Sequence, residues 1–188
     1  PKYVDMSLNV DDYYIKAAEY AAKVVDNPEQ TVFGFESNLL DIYDVEKPDG
    51  KEHIFIMSMD RTGIDEGQYS KLSKMYLSYV SGGTIYMKQG NTDKMIASHD
   101  GWSEYVTNTR FYNSFEIGDL RHDWLIVDKV YNAAGEVIAS VADKKLSYPF
   151  CRKFIDPNFI GDKTSTRPYL IRYSDIALTY AEAVGPTA

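Results

Sequence analysis

The chain has one cysteine, three histidines and no excess of positive charge, and each shortage removes a class of function. A lone Cys151 closes no disulfide within the chain and supplies no thiolate cage, because a metal of that kind needs several ligands at set spacings. It reads as a small buried apolar residue. His99-Asp100 and His122-Asp123 are His-Asp pairs, yet neither has the further ligands that a metal site requires, and His53 stands apart. Both pairs are expected to make local hydrogen bonds in loops, and we expect no metal and no cofactor. With 28 acidic residues against 20 basic ones, a net charge of −8, the chain lacks the clustered Lys and Arg that a phosphate backbone attracts. Nucleic acid is therefore not an expected partner. No stretch approaches the roughly 18 consecutive apolar residues of a membrane helix, and Pro1-Lys2-Tyr3-Val4-Asp5 carries no basic-then-apolar signal pattern. The proline at residue 1 fits a mature or excised segment. There is no Gly-x-Ser-x-Gly elbow, P-loop, dinucleotide fingerprint or EF-hand-like run.

Aromatic residues are abundant: 16 Tyr, 8 Phe and 2 Trp among 188 residues. A hydrophobic fraction of 44% is enough for one globular domain or part of one, and the tyrosines exceed what a core needs. Flat sugar faces stack on aromatic rings, so the excess is compatible with carbohydrate binding. Carboxylates are plentiful too, including Asp65, Glu66, Asp100, Glu104, Glu116 and Asp119. Glycoside hydrolysis needs two of them about 5 Å or about 6.5–9.5 Å apart across a cleft, and abundance sets no such separation. We read a solvated acidic face and expect no enzyme.

The pattern along the chain changes twice. From about Val10 to Asn27, Tyr14, Ala17, Ala18, Ala21 and Val25 recur at helical spacing after Asp11 and Asp12, which are expected to cap, and Asn27-Pro28 stops the run. A second helix over 170–185 places Tyr173, Ile176, Ala177, Tyr180, Ala181 and Val184 on one face before Gly185-Pro186. Both resemble tetratricopeptide-like helices, although no repeat of about 34 residues is present. Residues 28–169 read as a loop-rich insert with short strands. Within it a strand is expected over His53–Met59, a helix over Ser70–Val80 with Leu72, Met75, Tyr76 and Tyr79 on its inner face, and a loop from Gly82 to Asn108. A hairpin is expected from Trp124–Tyr131 and Glu136–Val141 around Asn132-Ala133-Ala134-Gly135. Asp119 and Arg121 in Gly118-Asp119-Leu120-Arg121, and Arg172 before the last helix, are expected to serve structural capping or pairing roles.

These pieces fall in a familiar order. Leu170-Ile171-Arg172-Tyr173-Ser174-Asp175-Ile176-Ala177-Leu178-Thr179-Tyr180-Ala181-Glu182-Ala183 resembles the signature of the SusD/RagB family. Upstream, Gly101-Trp102, Phe115-Glu116 and Gly118-Asp119-Leu120-Arg121 resemble that family's glycine-rich loop and Asp-x-Arg element, with Leu120 where proline is frequent. Phe150-Cys151-Arg152-Lys153-Phe154 is similar to its short strand, and Tyr14–Val25 to its Ala-rich helix. The resemblance implies a mainly α, SusD-like fold with irregular loops and a few short strands, present here as part of a single domain. It implies non-catalytic binding of an oligosaccharide, held for a SusC-like TonB-dependent transporter at the surface of the outer membrane. Membrane attachment would come only through an N-terminal lipid anchor that this chain does not include. The matching region offers Tyr86, Trp102 and Tyr105 as an aromatic arc, with Asn91, Asp100 and Asn108 as polar partners. The alternatives are a helical-repeat module that binds protein, drawn from the two Ala-rich helices, and a glycoside hydrolase, drawn from the carboxylates and aromatics.

Overall fold

The computed structural model describes residues 9–81 and 83–185. The chain divides into two compact units, one of residues 1–37, 49–56 and 169–188, the other of residues 38–48 and 57–168.

In the first unit α1 runs from Val10 to Val25. Its N-cap is Asn9, whose Oδ1 accepts the Asp11 N–H at 3.2 Å. Asp11 and Asp12, expected to cap, instead occupy the first turn, where negative charge favours the positive end of the helix dipole. The helix ends two residues earlier than expected, because the Asp26 N–H closes on Ala22 O while the Asn27 side chain accepts the Glu29 N–H at 3.0 Å and starts a turn. The C-terminal helix, expected over 170–185, begins at Tyr173. Residues Tyr169–Arg172, released from Pro168 in an extended run, form a strand that pairs antiparallel with His53–Ile56. That earlier strand is likewise shorter than the expected 53–59. Tyr173 is buried with its ring edge-on to Phe35 at 4.9 Å. The Arg172 N–H donates to Asp175 Oδ2 at 2.9 Å, and its guanidinium lies 4.0 Å from Glu52 and 3.9 Å from Asp175. Tyr13, Tyr14, Ile15, Tyr20 and Leu178 point to solvent from these two helices.

The second unit is built on strands. Numbering strands from His53–Ile56 as β1, its main sheet has the order β3-β2-β5-β6, with β2 Thr84–Lys88, β3 Met95–His99, β5 Lys129–Tyr131 and β6 Val137–Ser140. Two of these strands lie in the segment expected to be a loop. The Gly, Asn and Asp residues there mark only the turn between them, whereas Ile85 and Met87 are fully buried and Thr84, Tyr86 and Lys88 alternate onto the other face. The expected hairpin exists as β5 and β6, closed by the Asn132 N–H on Glu136 O at 2.9 Å. Trp124 and Leu125 do not join it. Asp119 Oδ1 accepts the Arg121 N–H at 2.9 Å and caps a helix, α4, over Leu120–Leu125. Ile126–Val127 (β4) then pairs with Phe150–Cys151 (β7). Cys151 is half-buried, and burial pushes its thiol up. Leu77, Ile85, Met87, Val127, Val130, Ala139, Leu146, Phe150 and Ile155 form the core.

Two buried carboxylates in this unit, Asp156 and Asp100, are paired with cations. Asp156, wholly buried, accepts two bonds from Arg61 Nη1 at 3.1 and 3.2 Å and the N–H groups of Asn158 and Ser165 at 2.9 and 2.7 Å. His99, at the end of β3, is also buried. Its Nδ1–H donates to Asp100 O at 2.9 Å, while Nε2 has no partner among the described residues. Burial lowers its pKa from the ordinary 6.5. The folded state therefore binds fewer protons than the unfolded chain below about pH 6.5, and stability is full above that value and lost as the pH falls toward the lowered one. Urea titrations at pH 7.5, 6.5 and 5.5 should show this loss, and His99→Gln should flatten it.

Candidate functional site

Residues 70–80 do not form the single helix that their spacing predicts. The α-helical part, α2, covers only Leu72–Tyr76, and Leu77 turns to an extended backbone with ψ 149°. A helix end leaves four carbonyls without intrahelical donors. Here the amides of the next loop take two of them and two carbonyls just past the helix: Trp102 N–H bonds to Lys74 O at 2.6 Å and Tyr105 N–H to Met75 O at 2.9 Å, then Ser103 N–H to Leu77 O at 3.0 Å and Gly101 N–H to Ser78 O at 2.8 Å. The Tyr79 N–H returns a bond to Ser103 Oγ at 2.8 Å. Ser103 holds φ +57°, a left-handed conformation that side chains adopt at a cost of roughly 1–3 kcal/mol and that surrounding structure must enforce. Gly101 is required for another reason. A Cβ there would lie 1.8 Å from Leu77 O, so only glycine allows the loop to come this close.

An ion cluster fixes the start of the same loop. Lys74 Nζ lies 3.1 Å from Asp100 and 3.0 Å from Asp162, with Lys74 and Asp100 both buried. Burial alone would lower the lysine pKa, but the bonds to Asp162 and Asp100 outweigh it and hold the ammonium above its ordinary value. Asp100 is thus occupied as a partner of Lys74. The amides and the carboxylate of the loop face inward, and its rings face outward: Trp102 is 44% exposed and Tyr105 52%. Tyr105 leans on Tyr76 at 5.2 Å, and Tyr76 on Phe154 at 4.8 Å, so the outer ring has a packed support. The Thr107 N–H closes the far end on Pro149 O at 2.8 Å.

Beside this loop is a cleft of about 430 Å³ lined by Ser78, Tyr79, Ser103, Val106, Lys145, Leu146, Ser147 and Tyr148. Tyr79 was expected on a buried helical face, yet it is 65% exposed because the helix has already ended. Tyr148 was not singled out by sequence at all. Rings, hydroxyls and one ammonium in a cleft of this size suit stacking and hydrogen bonding with a polar ligand.

The remaining expected residues lie elsewhere in the unit. Tyr86 is half-buried on the sheet face away from the core, directly opposite Tyr131. Asn91 lines a second cleft of about 430 Å³, where its Nδ2 donates to Asp123 Oδ2 at 2.8 Å and His122 Nδ1 meets Asp123 Oδ1 at 3.0 Å. The bonds from His122 and then Asn91 hold the Asp123 carboxyl below its ordinary range. Both His-Asp pairs thus bond locally, one at a strand end and one in α4 rather than in loops. Among the described residues no group of three or more His, Cys, Asp or Glu converges as a metal site. Asn108 caps α3, Thr109–Tyr112, through the Arg110 N–H at 2.8 Å. Of the six candidates, Trp102 and Tyr105 share one rigidly held loop; Asp100 braces it, and Tyr86, Asn91 and Asn108 occupy separate positions. Arg121 pairs with Asp119 through Nε at 3.0 and 3.2 Å and holds that carboxyl low.

The profile of the SusD family matches residues 51–185. No curated protein matches the sequence. Among solved structures, a laminarin binding SusD-like protein superposes with a TM-score of 0.68 at 19% identity, covering 94% of this chain and 41% of its own. Surface glycan-binding protein A from Bacteroides thetaiotaomicron, in complex with laminarihexaose, gives 0.64 at 19% identity over 94% and 40%. Its namesake from Bacteroides uniformis gives 0.62 at 18% identity over 92% and 33%. These likenesses establish a SusD-like fold, and the chain spans between a third and about two fifths of the length of those structures.

The close approach at Gly101 gives a direct test. Gly101→Ala should destabilise the protein by about 1–3 kcal/mol in denaturant titration, whereas Gly34→Ala, with open space around its Cβ, should stay within about 0.5 kcal/mol of wild type.

Proposed function

The chain belongs to the SusD family, a family of non-catalytic glycan-binding proteins, and on that premise we propose that it captures an oligosaccharide at the cell surface for a SusC-like TonB-dependent transporter of the outer membrane. The observation that carries this reading is the loop 100–107: its backbone is fixed on the end of α2, and Trp102 and Tyr105 stand outward beside a cleft walled by Tyr79 and Tyr148. Rings held in place before the ligand arrives lose little entropy on stacking, which is the economical way to bind a flat, polar molecule. Ser103, Ser147 and Lys145 on the same cleft can bond to sugar hydroxyls. Tyr86, Asn91 and Asn108 would add contacts only to a ligand long enough to extend beyond the loop. Asp100 would act through Lys74, by positioning. Attachment to the membrane through a lipid anchor completes the proposal.

A protein-binding role has separate support in the first unit, where Tyr13, Tyr14, Ile15, Tyr20 and Leu178 are exposed on helices. It does not compete for the residues of the loop.

Calorimetric titration with laminarihexaose, preceded by a glycan array to widen the choice of ligand, tests the capture reading. Trp102→Ala and Tyr105→Ala should each weaken binding about 10-fold or more, as loss of a central aromatic contact does, and no reducing sugar should be released during the titration. Unchanged affinity in both variants, or turnover of the bound glycan, would contradict it.

A further inference from the structure

The loop that carries Trp102 and Tyr105 starts directly after a buried histidine that glycan capture leaves unused. His99 ends β3, opposite Thr84 of β2, and is 2% exposed. The next residue is Asp100, whose N–H bonds to Gly83 O at 2.9 Å and whose carboxylate lies 3.1 Å from Lys74 Nζ. The imidazole joins this arrangement through Nδ1–H, which donates to Asp100 O at 2.9 Å and ties the ring to the backbone of the first loop residue.

A neutral ring suits that place and a charged one does not. His99 lies edge to face with Phe159 at 5.0 Å, and Nε2 has no hydrogen-bond partner among the described residues, so a second ring proton would meet no acceptor there. The charged groups around it are the Lys74 ammonium of α2, the Asp100 carboxylate and the half-exposed Asp162 carboxylate. Lys74 opposes a positive ring and Asp162 favours one, but both carboxylates are engaged by Lys74 itself. Burial dominates and keeps the imidazole pKa below its ordinary 6.5. A form in which residue 100 has moved away lets water reach the ring and restores its ordinary basicity. Below about pH 6.5, each pH unit therefore multiplies the population of that opened form by up to about 10, until the lowered pKa is reached. The opening itself is local. The loop is held by a few backbone bonds, Ser103 Oγ and the Lys74 pair, and its two rings are already about half exposed, so little apolar surface is lost from the interior.

We infer that His99 is an acid-sensitive latch for the loop 100–107, whose protonation frees the loop from the end of α2 and releases a glycan held by Trp102 and Tyr105. The release rests on the capture reading of the loop, and the motion does not. His99 is a positioning residue that acts through Asp100.

Amide hydrogen exchange of the 188-residue chain at pH 7.5, 6.5 and 5.5, corrected for the intrinsic pH dependence of exchange, tests the latch. The amides of residues 101, 102, 103 and 105 should exchange at least about 10-fold faster than those of Leu146 and Arg152, which bond to Ser140 O and Leu125 O in the same unit, as a local opening requires. From pH 7.5 to 5.5 their protection should fall about three- to tenfold in wild type. It should change by less than about twofold in His99→Asn, whose side-chain amide replaces the Nδ1–H donor, and in His99→Gln, a second neutral variant. Laminarihexaose should dissociate faster at pH 5.5 than at pH 7.5 from wild type, and at one rate from both variants. A flat wild-type profile would overturn the latch whatever the variants do. So would a common exchange rate for the loop and Leu146, a pH profile shared by wild type and both variants, or a constant dissociation rate while protection falls. If laminarihexaose binds at no pH, the capture reading fails, and the exchange profiles alone decide the motion.

Discussion

Four carbonyl groups in and just after the last turn of α2 need donors, and the way that need is met shapes much of the second unit. A five-residue helix is too short to be stable by itself. It persists because Leu77 enters the core and because the amides of residues 102 and 105 bond to its last turn while those of 101 and 103 hold the residues just after it. The same bonds spend the inward amides of the loop on backbone carbonyls. Side chains on the loop are then left two options, burial in the Lys74 cluster, as for Asp100, or projection to solvent, as for Trp102 and Tyr105. The display of aromatic rings follows from hydrogen-bond satisfaction rather than from any apolar drive, which alone would bury them.

Charge is distributed by the same logic. Two groups of ions brace the interior of this unit, Lys74 with Asp100 and Asp162, and Asp156 with Arg61. Each group joins segments far apart in sequence, so the loops they connect keep fixed positions without regular secondary structure. Arg152 and Arg167, also buried, donate instead to backbone carbonyls, Arg152 to those of Trp124 and Lys88 and Arg167 to that of Val45.

Some of this was legible in the sequence and some was not, for definable reasons. The two long helices were visible because their apolar residues recur at helical spacing over three or more turns. Their ends moved by a few residues because Asn9 outcompeted Asp11 as a cap and because Leu170 and Ile171 found a strand partner in β1. The β2–β3 hairpin was hidden by its own turn, since Gly90, Asn91 and Thr92 dominate a window in which only Ile85 and Met87 betray the buried face. Tyr79 was misplaced because helical spacing continues past Tyr76 while the helix does not. Trp102 and Tyr105 were identified as candidates from a resemblance to the family's glycine-rich loop, and Gly101 was the local clue to a close backbone approach. Asp100 beside them carried no sign of Lys74, because an ion pair across 26 residues leaves no trace in local pattern. Arg152 lay inside a segment noted only as a short strand.

The central claim is that the α2 carbonyls and the Lys74 cluster hold the loop in the form that binds glycan. Amide hydrogen exchange of residues 101–105, measured together with glycan affinity in wild type and Asp100→Asn, tests it most directly. The account predicts faster exchange at Gly101, Trp102, Ser103 and Tyr105 and a parallel loss of affinity in a protein that remains folded. Faster exchange with undiminished affinity, or unchanged exchange, would contradict it.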